Sequence, residues 1–400
     1  MDSYLYQYAY VVPECGFTCP HWKLLCVEFQ TQNGIMILFL LGIAIVYVLT
    51  ISWLIYGFTK INHFEYIGSS PKTSFSIIVP FRNEAENLPV LLESFSKLNY
   101  PMDLFEVILV DDESEEEFRW QNTDYRIQFL KNIRVSNSPK KDAITTAMEI
   151  VKTDWVITTD ADCTVPKNWL LALDNFIQLH HVSMIAGAVI YDCNNSFLHH
   201  FQQLDLASLQ GATIGSFGIK KGFMCNGANF AYTKSFFQKL KGFEGNSTIA
   251  SGDDVFLLQK ALSQYPEKVA YLKSKNTIVT TKPVNDWKSL FYQRVRWASK
   301  TTSYQSTFGK RLGLLVFVMN FGFFYCLVLT VFGILPYFSP VIYFLIKFGI
   351  DTVLIQQTNK FLTEHKMRHL FLSSLWYPFF STAVALYCLF GKYEWKGRRF

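Results

Sequence analysis

Two aspartates separated by a single residue carry the clearest chemical signal in the chain. Asp160 and Asp162 directly follow the apolar, β-branched run 155–159, which is typical of a buried strand. In open α/β sheets, ligands bind beyond the carboxyl ends of the strands. Two carboxylates at that edge are suitable ligands for Mg²⁺ or Mn²⁺ that bridges phosphate groups. Because Asp-x-Asp also occurs by chance in surface turns, this interpretation depends on the rest of the sequence.

Two earlier strand-like runs, 75–79 and 105–110, also end in residues that could contact a ligand. The residues after these runs are Pro80, Arg82, Asn83, Glu84, Asp111 and Asp112. Acids after three separate strands favour one shared site over independent surface turns. The motifs G-x-G-x-x-G and G-x-x-x-x-G-K-[ST] do not occur, which disfavours a dinucleotide-binding fold and a phosphate-binding-loop ATPase. The alternation of strand-like and helix-like segments predicts an α/β domain with a mainly parallel sheet.

A further acidic pair, Asp253 and Asp254, follows Gly252 at the start of a predicted helix. An aspartate in this position usually caps the helix N-terminus. One cap needs only one carboxylate, so the other is free to act as a general base if it faces the cleft. The sequence leaves both roles open.

Two short polar motifs have both a structural and a functional interpretation. Lys140 and Lys141 begin the helix that precedes the Asp-x-Asp strand, where a lysine either neutralises phosphate or lies in solvent. Asn226, Gly227 and Asn229 are suited to a tight turn whose amides bind sugar hydroxyls, although a plain turn also explains them.

The segment 286–300 is predicted to form an amphipathic helix close to the apolar part of the chain. Gln293, Arg296 and Trp297 are spaced i, i+3 and i+4, so they share one helix face. A helix of this type commonly lies on a membrane surface. The same face could present an arginine to a diphosphate and a tryptophan to a sugar ring, and the two roles are compatible.

The composition indicates a membrane protein. Hydrophobic residues make up 50% of the 400 residues and charged residues only 17%, which is too apolar for an ordinary soluble protein. The candidate membrane spans are 34–58, 312–336, 341–356 and 369–390. Lys347 and Asp351 weaken the third. If all four cross, the basic tail would end opposite the catalytic domain, against the positive-inside rule, so three or four spans are expected, with one of the last three re-entrant or interfacial as the alternative. Lys60 after the first favours a cytosolic position for the domain on its C-terminal side. The net charge of +5 is modest and the basic residues gather near apolar runs, which favours anionic lipid over nucleic acid as a partner.

The expected organisation has five parts along the chain. These are an N-terminal extension at 1–33, a transmembrane helix at 34–58, a cytosolic catalytic domain at 59–311 that includes the interfacial helix 286–300, two or three transmembrane helices within 312–391, and a basic tail at 392–400. Met36 stands at the start of the first apolar run, which raises the hypothesis that translation begins there and that 1–35 is not translated. N-terminal sequencing of the native protein that found Met1 would exclude this hypothesis.

Taken in order, the motifs resemble those of the inverting family 2 glycosyltransferases that have a GT-A fold and membrane helices. The segments that carry the resemblance are 79–84, 111–112, 139–144, 160–162, 252–254 and 293–297, the last with the pattern Q-x-x-R-W. Glu113 replaces the glycine that usually follows the second acidic site of the family, and Asp253 stands in the position of a glutamate. The resemblance covers roughly 75–300 together with the membrane layout.

The resemblance implies a nucleotide-sugar donor, most often a UDP-sugar, bound with a divalent metal, Mg²⁺ or Mn²⁺. The implied donor-binding residues are Pro80, Arg82, Glu84, Asp111, Asp112, Lys141, Asp160, Gln293, Arg296 and Trp297. Asp162 would ligate the metal together with Asp160, and Asp254 would be the general base, with Asp253 as the alternative. The implied acceptor-binding residues are Asn226, Gly227, Asn229 and Trp297.

Members of this family differ in the acceptor that receives the sugar. Q-x-x-R-W occurs in processive polysaccharide synthases of the cellulose, chitin and hyaluronan type, and also in enzymes that glycosylate a membrane lipid. Three or four helices are few for a polymer channel, and an interfacial helix suits a lipid hydroxyl. We therefore expect transfer to a lipid or lipid-linked acceptor, with a polysaccharide synthase as the alternative. A non-catalytic nucleotide-binding membrane scaffold is the alternative from another class, which the presence of both Asp162 and Asp254 disfavours.

Overall fold

The computed structural model describes residues 20–66, 68–116, 118, 125–246, 249, 251–390, 394–395 and 398–399. Most of the predicted extension 1–33 and of the predicted tail 392–400 lies outside these residues. The hypothesis of a start at Met36 concerns the same N-terminal region and stays a prediction.

The described residues form twelve strands, and seven of them make up the central sheet that carries the acidic strand ends. The strands, in chain order, are β1 Phe75–Phe81, β2 Phe105–Asp111, β3 Arg126–Lys131, β4 Trp155–Thr158, β5 Cys163–Thr164, β6 Met184–Gly187, β7 Val189–Tyr191, β8 Phe230–Thr233, β9 Val269–Leu272, β10 Val279–Thr281, β11 Glu394–Trp395 and β12 Arg398–Arg399. The central sheet has the order β3-β2-β1-β4-β8-β6-β9, and β5, β10 and β7 form a smaller sheet. Neighbours in the central sheet are parallel except β8, which is antiparallel to β4 and β6. The predicted α/β class with a mainly parallel sheet is confirmed.

Helices cover both faces of this sheet. The α-helices, in chain order, are α1 Pro20–Lys60, α2 Leu88–Ser96, α3 Pro139–Ile150, α4 Trp169–Leu179, α5 Phe197–Gly218, α6 Lys234–Lys239, α7 Asp253–Gln264, α8 Trp287–Ser299, α9 Thr307–Val331, α10 Ser339–Leu362 and α11 Leu370–Phe390. In β1, Ile77 and Val79 belong to the core with α2 and α4, whereas Ile78 belongs to the core with α3 and α7. Because both faces are buried, the central strands β1, β2 and β4 are mainly apolar in the sequence.

The strand register brings the polar segments to one edge of the sheet. Phe81 of β1 pairs with Asp111 of β2, and Ile78 of β1 pairs with Thr158 at the end of β4. The residues after these three strands therefore leave the sheet side by side, at the carboxyl edge where ligands of such sheets bind.

Four helices in the described part of the chain are long and apolar enough to cross a membrane. They are Gly34–Lys60 in α1, Thr307–Val331, Ser339–Leu362 and Leu370–Leu389 in α11. These helices correspond to the four predicted runs. Lys347 and Asp351, which weaken the third run by composition, form an ion pair one turn apart on α10. Tyr47 of α1 donates a hydrogen bond of 2.7 Å to Asp351, so both charges have partners where α1 and α10 meet.

The helix α5 connects the sheet to the apolar helices, and the sequence did not predict it. It packs against α1 and α10 and also contributes Leu204, Ala207 and Ile214 to the core beneath the sheet. A helix buried on several sides has no single polar stripe, so its sequence lacks the amphipathic period by which exposed helices are recognised.

Candidate functional site

A cavity of about 500 Å³ lies at the carboxyl edge of the sheet. Most residues predicted for the site line it, namely Pro80, Arg82, Glu84, Asp112, Asp160, Asp162, Asn226, Gly227, Asp253, Asp254, Gln293, Arg296 and Trp297. Three predicted residues, Asp111, Lys141 and Asn229, do not belong to the lining. The sequence motifs therefore line the same cavity, although they are separated by up to 217 positions in the chain (80 to 297).

Asp160 and Asp162 follow β4 at the charged end of the cavity. The ammonium group of Lys140 lies 2.6 Å from Asp160 Oδ1 and 3.3 Å from Asp253 Oδ2. Burial acts to lower the pKa of Lys140, but the carboxylates of Asp160 and Asp253 outweigh it and the pKa is raised. Lys140 therefore joins the Asp-x-Asp segment to the Asp253–Asp254 segment as a permanently charged ammonium group.

The neighbouring Lys141 points away from the cavity. Its side chain is buried, and its ammonium group donates to the carbonyl oxygens of Asn246 at 2.7 Å and Ile249 at 2.9 Å. Burial lowers the pKa of Lys141 to about 8. Successive residues of a helix point about 100° apart, so only one of two adjacent lysines can face the aspartates. The structure brings Lys140, rather than the predicted Lys141, to that position.

Asp253 and Asp254 lie in the first turn of α7, with Gly252 in the N-cap position at a φ of 84°. The Asp254 carboxylate accepts hydrogen bonds from the backbone N–H groups of Gly227 at 2.9 Å and Val255 at 2.7 Å. Its Oδ1 also lies 3.6 Å from the ammonium group of Lys300.

The two adjacent carboxyl groups differ in their pKa. Burial raises the pKa of Asp253 in spite of the nearby Lys140. For Asp254, burial also acts to raise the pKa, but the ammonium groups of Lys300 and Lys140 and the two backbone N–H groups outweigh it, and the pKa is lowered. Asp254 is therefore the carboxylate that the fold keeps ionised.

The loop after β2 forms another wall of the cavity at its charged end. Arg82 donates to the carbonyl oxygens of Asp112 at 2.9 Å and Glu113 at 2.6 Å, which fixes the guanidinium group beside the cavity. Asp112 lines the cavity, whereas Asp111 lies outside the lining and accepts a hydrogen bond from the backbone of Ser114 at 3.0 Å.

The Asn226–Asn229 turn is divided between the cavity and the core. Asn226 and Gly227 line the cavity. Asn229 is buried, donates to the carbonyl oxygens of Ala188 at 2.7 Å and Thr277 at 2.6 Å, and accepts from Trp169 at 3.1 Å. The amide of Asn229 is thus used by the fold, and the acceptor role predicted for it has no support from its position.

The helix α8 forms one side of the cavity and is anchored by the fully buried Leu290 and Val295. Gln293, Arg296 and Trp297 face the cavity, as their spacing predicts. The guanidinium carbon of Arg294 lies 4.2 Å from the centre of the Trp297 ring, so one face of the tryptophan is covered by an arginine of the same helix.

Beyond Trp297 the cavity becomes apolar. This section is lined by Leu206 and Leu209 of α5 and by Phe380, Val384 and Ala385 of α11. The sequence did not predict these lining residues. Leu206 and Leu209 belong to α5, which was not predicted, and the other three belong to a run that was predicted to span a membrane. The cavity therefore extends from the aspartates to the helices that resemble membrane spans.

The acidic corner fits a divalent cation that is shared with a bound phosphate group. No cluster of three or more His, Cys, Asp or Glu side chains suited to a metal occurs among the residues that the structure describes. Mg²⁺ commonly takes only one or two carboxylates and completes its shell with water and substrate phosphates. Asp160 and Asp162 supply oxygen ligands of this kind and number.

Comparison with known proteins agrees with the motif resemblance. The family model described as "Glycosyl transferase family 2" matches residues 76–241. No curated protein matches the chain. Among solved structures, the chain is similar to the mannosyltransferase PcManGT from Pyrobaculum calidifontis in complex with GDP-Man and Mn²⁺, with a TM-score of 0.50, 13% identity, and coverage of 90% of this chain and 99% of that chain. It is also similar to S. aureus TarS 1-349, with a TM-score of 0.40, 14% identity, and coverage of 82% and 95%. Residues 76–241 therefore match the model of glycosyl transferase family 2, and the chain has a GT-A-type fold.

Proposed function

We propose that the protein transfers a sugar from a nucleotide-diphosphate sugar to a hydroxyl group of a lipid or lipid-linked acceptor, with inversion at the anomeric carbon. The observation that carries this proposal is the cavity itself. One continuous space runs from the carboxylates at the sheet edge to an apolar section between α5 and α11. A charged donor and an apolar acceptor would thus meet near the residues that could perform the transfer.

The nucleotide of the donor would bind at the ends of β1 and β2. Pro80, Arg82, Glu84 and Asp112 line this part of the cavity, and Arg82 is fixed by two carbonyl oxygens. The similar mannosyltransferase was solved with GDP-Man and Mn²⁺. A UDP-sugar is the donor that we expect first for this chain, by resemblance to the family.

The diphosphate would lie between the aspartates and α8. Asp162 and Asp160 would hold Mg²⁺ or Mn²⁺, which offsets the charge that develops on the leaving diphosphate. Arg296, Lys300 and Lys140 add positive charge around the same space. In the described structure Lys140 pairs with Asp160, so the lysine neutralises this corner before any cation is present.

Asp254 would accept the proton of the attacking hydroxyl group. Its carboxylate is ionised, lines the cavity and is held by two backbone N–H groups. A base fixed on the acceptor side would direct the acceptor hydroxyl to attack the anomeric carbon from the face opposite the leaving diphosphate. Attack from that face inverts the configuration of the anomeric carbon. A positioned base of this kind typically contributes about 10²–10⁴-fold to the rate.

The test of this function is product analysis. The full-length protein in proteoliposomes would receive radiolabelled UDP-sugars or GDP-sugars with Mn²⁺, and the lipids would be separated by thin-layer chromatography. A labelled product that migrates as a glycolipid is expected. Labelled material of high mass at the origin would instead indicate a polysaccharide synthase, and donor binding without any labelled product would indicate a nucleotide-binding scaffold.

Metal removal gives a separate prediction. Excess EDTA is expected to reduce turnover to a few per cent or less, because without the cation the carboxylates of Asp160 and Asp162 would add negative charge beside the diphosphate. Activity should return when Mn²⁺ or Mg²⁺ is added above the chelator. Full activity in EDTA would exclude the metal role of Asp162.

We further propose that the domain 59–311 lies on the cytosolic face and that α11 lies along the membrane interface instead of crossing it. The second half of α11 runs beside α8: Cys388 contacts the Val295 carbonyl, and the rings of Phe291 and Tyr387 lie 5.3 Å apart. With α1, α9 and α10 as the three spans, the basic residues near the apolar helices share one side. These residues are Lys60, Lys310, Arg311, Lys366, Arg368, Lys396, Arg398 and Arg399.

This topology predicts the result of reporter fusions in a bacterial host. Green fluorescent protein fused after Phe400 is expected to fluoresce, because the tail would be cytosolic. Alkaline phosphatase fused after Pro336, between α9 and α10, is expected to be active outside the membrane. An active phosphatase fused after Phe400 would show that α11 crosses the bilayer and would overturn this arrangement.

A further inference from the structure

An ion pair that no sequence motif predicted lies in the wall of the cavity. Arg294 Nε is 2.5 Å from Asp205 Oδ2, and the two side chains are only 7% and 5% exposed. Asp205 comes from α5 and Arg294 from α8, and both line the cavity where its charged section meets its apolar section. Arg294 occupies a variable position of Q-x-x-R-W, so the motif does not account for it.

Two tyrosines complete this group, which is named here the Asp205 cluster: Asp205, Arg294, Tyr191 and Tyr377. Tyr377 of α11 hydrogen-bonds to Asp205, and the hydroxyl group of Tyr191 of β7 lies beside the Arg294 guanidinium group. The Arg294 atom Nη2 is buried and has no hydrogen-bond partner among the described residues. Arg294 and Asp205 both line the cavity, so this donor lies next to the space that a bound molecule would occupy.

Stability alone gives little reason for this cluster. A buried ion pair loses the hydration of both charges, and well-packed apolar residues of similar volume are often as stable. The surrounding lining residues, Leu206, Phe380 and Val384, are apolar, so an apolar pair would fit the wall. A paired charge with an unpartnered Nη2 group beside apolar lining residues is instead suited to ligand recognition.

The chemistry of the cluster favours an uncharged, hydroxyl-bearing ligand. A hydroxyl group can accept from Arg294 Nη2 and donate to the Asp205 carboxylate at the same time. A phosphate group could only accept, and it would face the Asp205 carboxylate in a poorly solvated space. The net charge of the ion pair is zero, so it offers no compensation for an anion.

We propose that the Asp205 cluster binds the polar head group of the acceptor and selects uncharged, hydroxylated lipids over lipids that carry a phosphate. This inference rests on the proposed transfer to a lipid and names the class of lipid. The head group would lie beside Trp297, and the acyl chains would extend along Leu209 and Ala385 towards the membrane helices.

A second ion pair holds Tyr377 in place. The ammonium group of Lys347 lies 5.5 Å from the Tyr377 ring and 5.6 Å from the Tyr47 ring, and Lys347 pairs with Asp351. Tyr377 is therefore enclosed between α5, α10 and α1, so its hydroxyl group is preorganised towards Asp205.

The test uses two hydroxyl-bearing lipids in proteoliposomes of the full-length protein, dioleoylglycerol and dioleoylphosphatidylglycerol. The wild type is expected to have a kcat/KM at least about 10-fold higher for the uncharged lipid. Tyr377→Phe is expected to raise the KM for dioleoylglycerol about 5- to 10-fold, the size of one lost hydrogen bond, with little change in the KM for the donor. Arg294→Lys, which replaces the guanidinium group, including Nε and Nη2, by an ammonium group of the same charge, is expected to reduce the discrimination between the two lipids.

Tyr387→Phe is the matched control, because it removes one hydroxyl group from the same helix outside the cavity lining. UDP binding measured by calorimetry reports whether each variant is folded. Equal use of the two lipids by the wild type, or equal acceptor KM values for Tyr377→Phe and Tyr387→Phe, would overturn the role of the Asp205 cluster while leaving lipid transfer intact. A wild type that glycosylates no lipid in the product analysis would overturn both proposals.

Discussion

Asp254→Asn is expected to lower kcat by about 10²–10⁴-fold and to leave donor binding unchanged. An asparagine has nearly the same shape, and its side-chain oxygen can still accept a hydrogen bond from the backbone of Gly227 or Val255. The fold around the start of α7 is therefore expected to remain. What is lost is the carboxylate that, in the proposed mechanism, takes the proton from the acceptor hydroxyl. Single-turnover kinetics with labelled donor, together with UDP binding by calorimetry, separates the two effects.

The pKa shift at Asp254 gives this prediction a pH dependence. A lowered pKa keeps the carboxylate ionised down to below about pH 4, the ordinary value for aspartate. Protonation of Asp254 should therefore cause no loss of activity between about pH 5 and pH 8, and a loss from this cause should appear only as the pH falls through the lowered pKa.

Asp253→Asn is the matched comparison for Asp254→Asn. Asp253 pairs with Lys140 at 3.3 Å, so its replacement should weaken the charged end of the cavity without removing the base. A smaller decrease in kcat is therefore expected for Asp253→Asn. If Asp253→Asn removed turnover and Asp254→Asn kept it, the base would be Asp253.

The fold was predictable where burial produces a recognisable pattern of apolar residues in the sequence. The parallel strands β1, β2 and β4 are buried on both faces, so each is a mainly apolar run with polar residues after it. The antiparallel β8 was not predicted, because a short strand with three buried residues out of four has the same composition in either direction. The helix α5 was missed because its contacts on several sides remove the amphipathic period.

The site was predictable as a set of motifs but not residue by residue. The sequence shows that acids follow the strands, and the register determines that they meet. It does not show that Lys140 rather than Lys141 faces Asp160, since this depends on the rotation of α3 against the sheet. The position of Asn229 in the core and the pairing of Asp205 with Arg294 depend on contacts between segments 60 and 89 residues apart. Such contacts have no local sequence pattern.

The contact between α1 and α5 determines how the first apolar helix is attached to the catalytic domain. The two helices approach so closely that only glycine fits at their crossing. A Cβ atom added at Gly57 would lie 2.1 Å from the carbonyl oxygen of Gly215, and one added at Gly218 would lie 1.8 Å from the carbonyl oxygen of Gly57. Both neighbours are backbone atoms, so a side chain cannot rotate away to make room. An added methyl group must move one helix against the other.

Gly57→Ala is therefore expected to lower the free energy of unfolding by about 1–3 kcal/mol, the usual effect of overpacking, and to reduce activity through displacement of α5 and its cavity residues. Gly42→Ala is the matched control on the same helix, because a Cβ atom there has no neighbour within 4 Å. Alanine gains up to about 1 kcal/mol over glycine in helix propensity at both positions, so only the Gly57 variant should have a lower thermal midpoint than the wild type in detergent. Equal midpoints for the two variants would mean that the crossing can open without loss of stability, and α1 would then be a tether rather than part of the frame that holds the cavity.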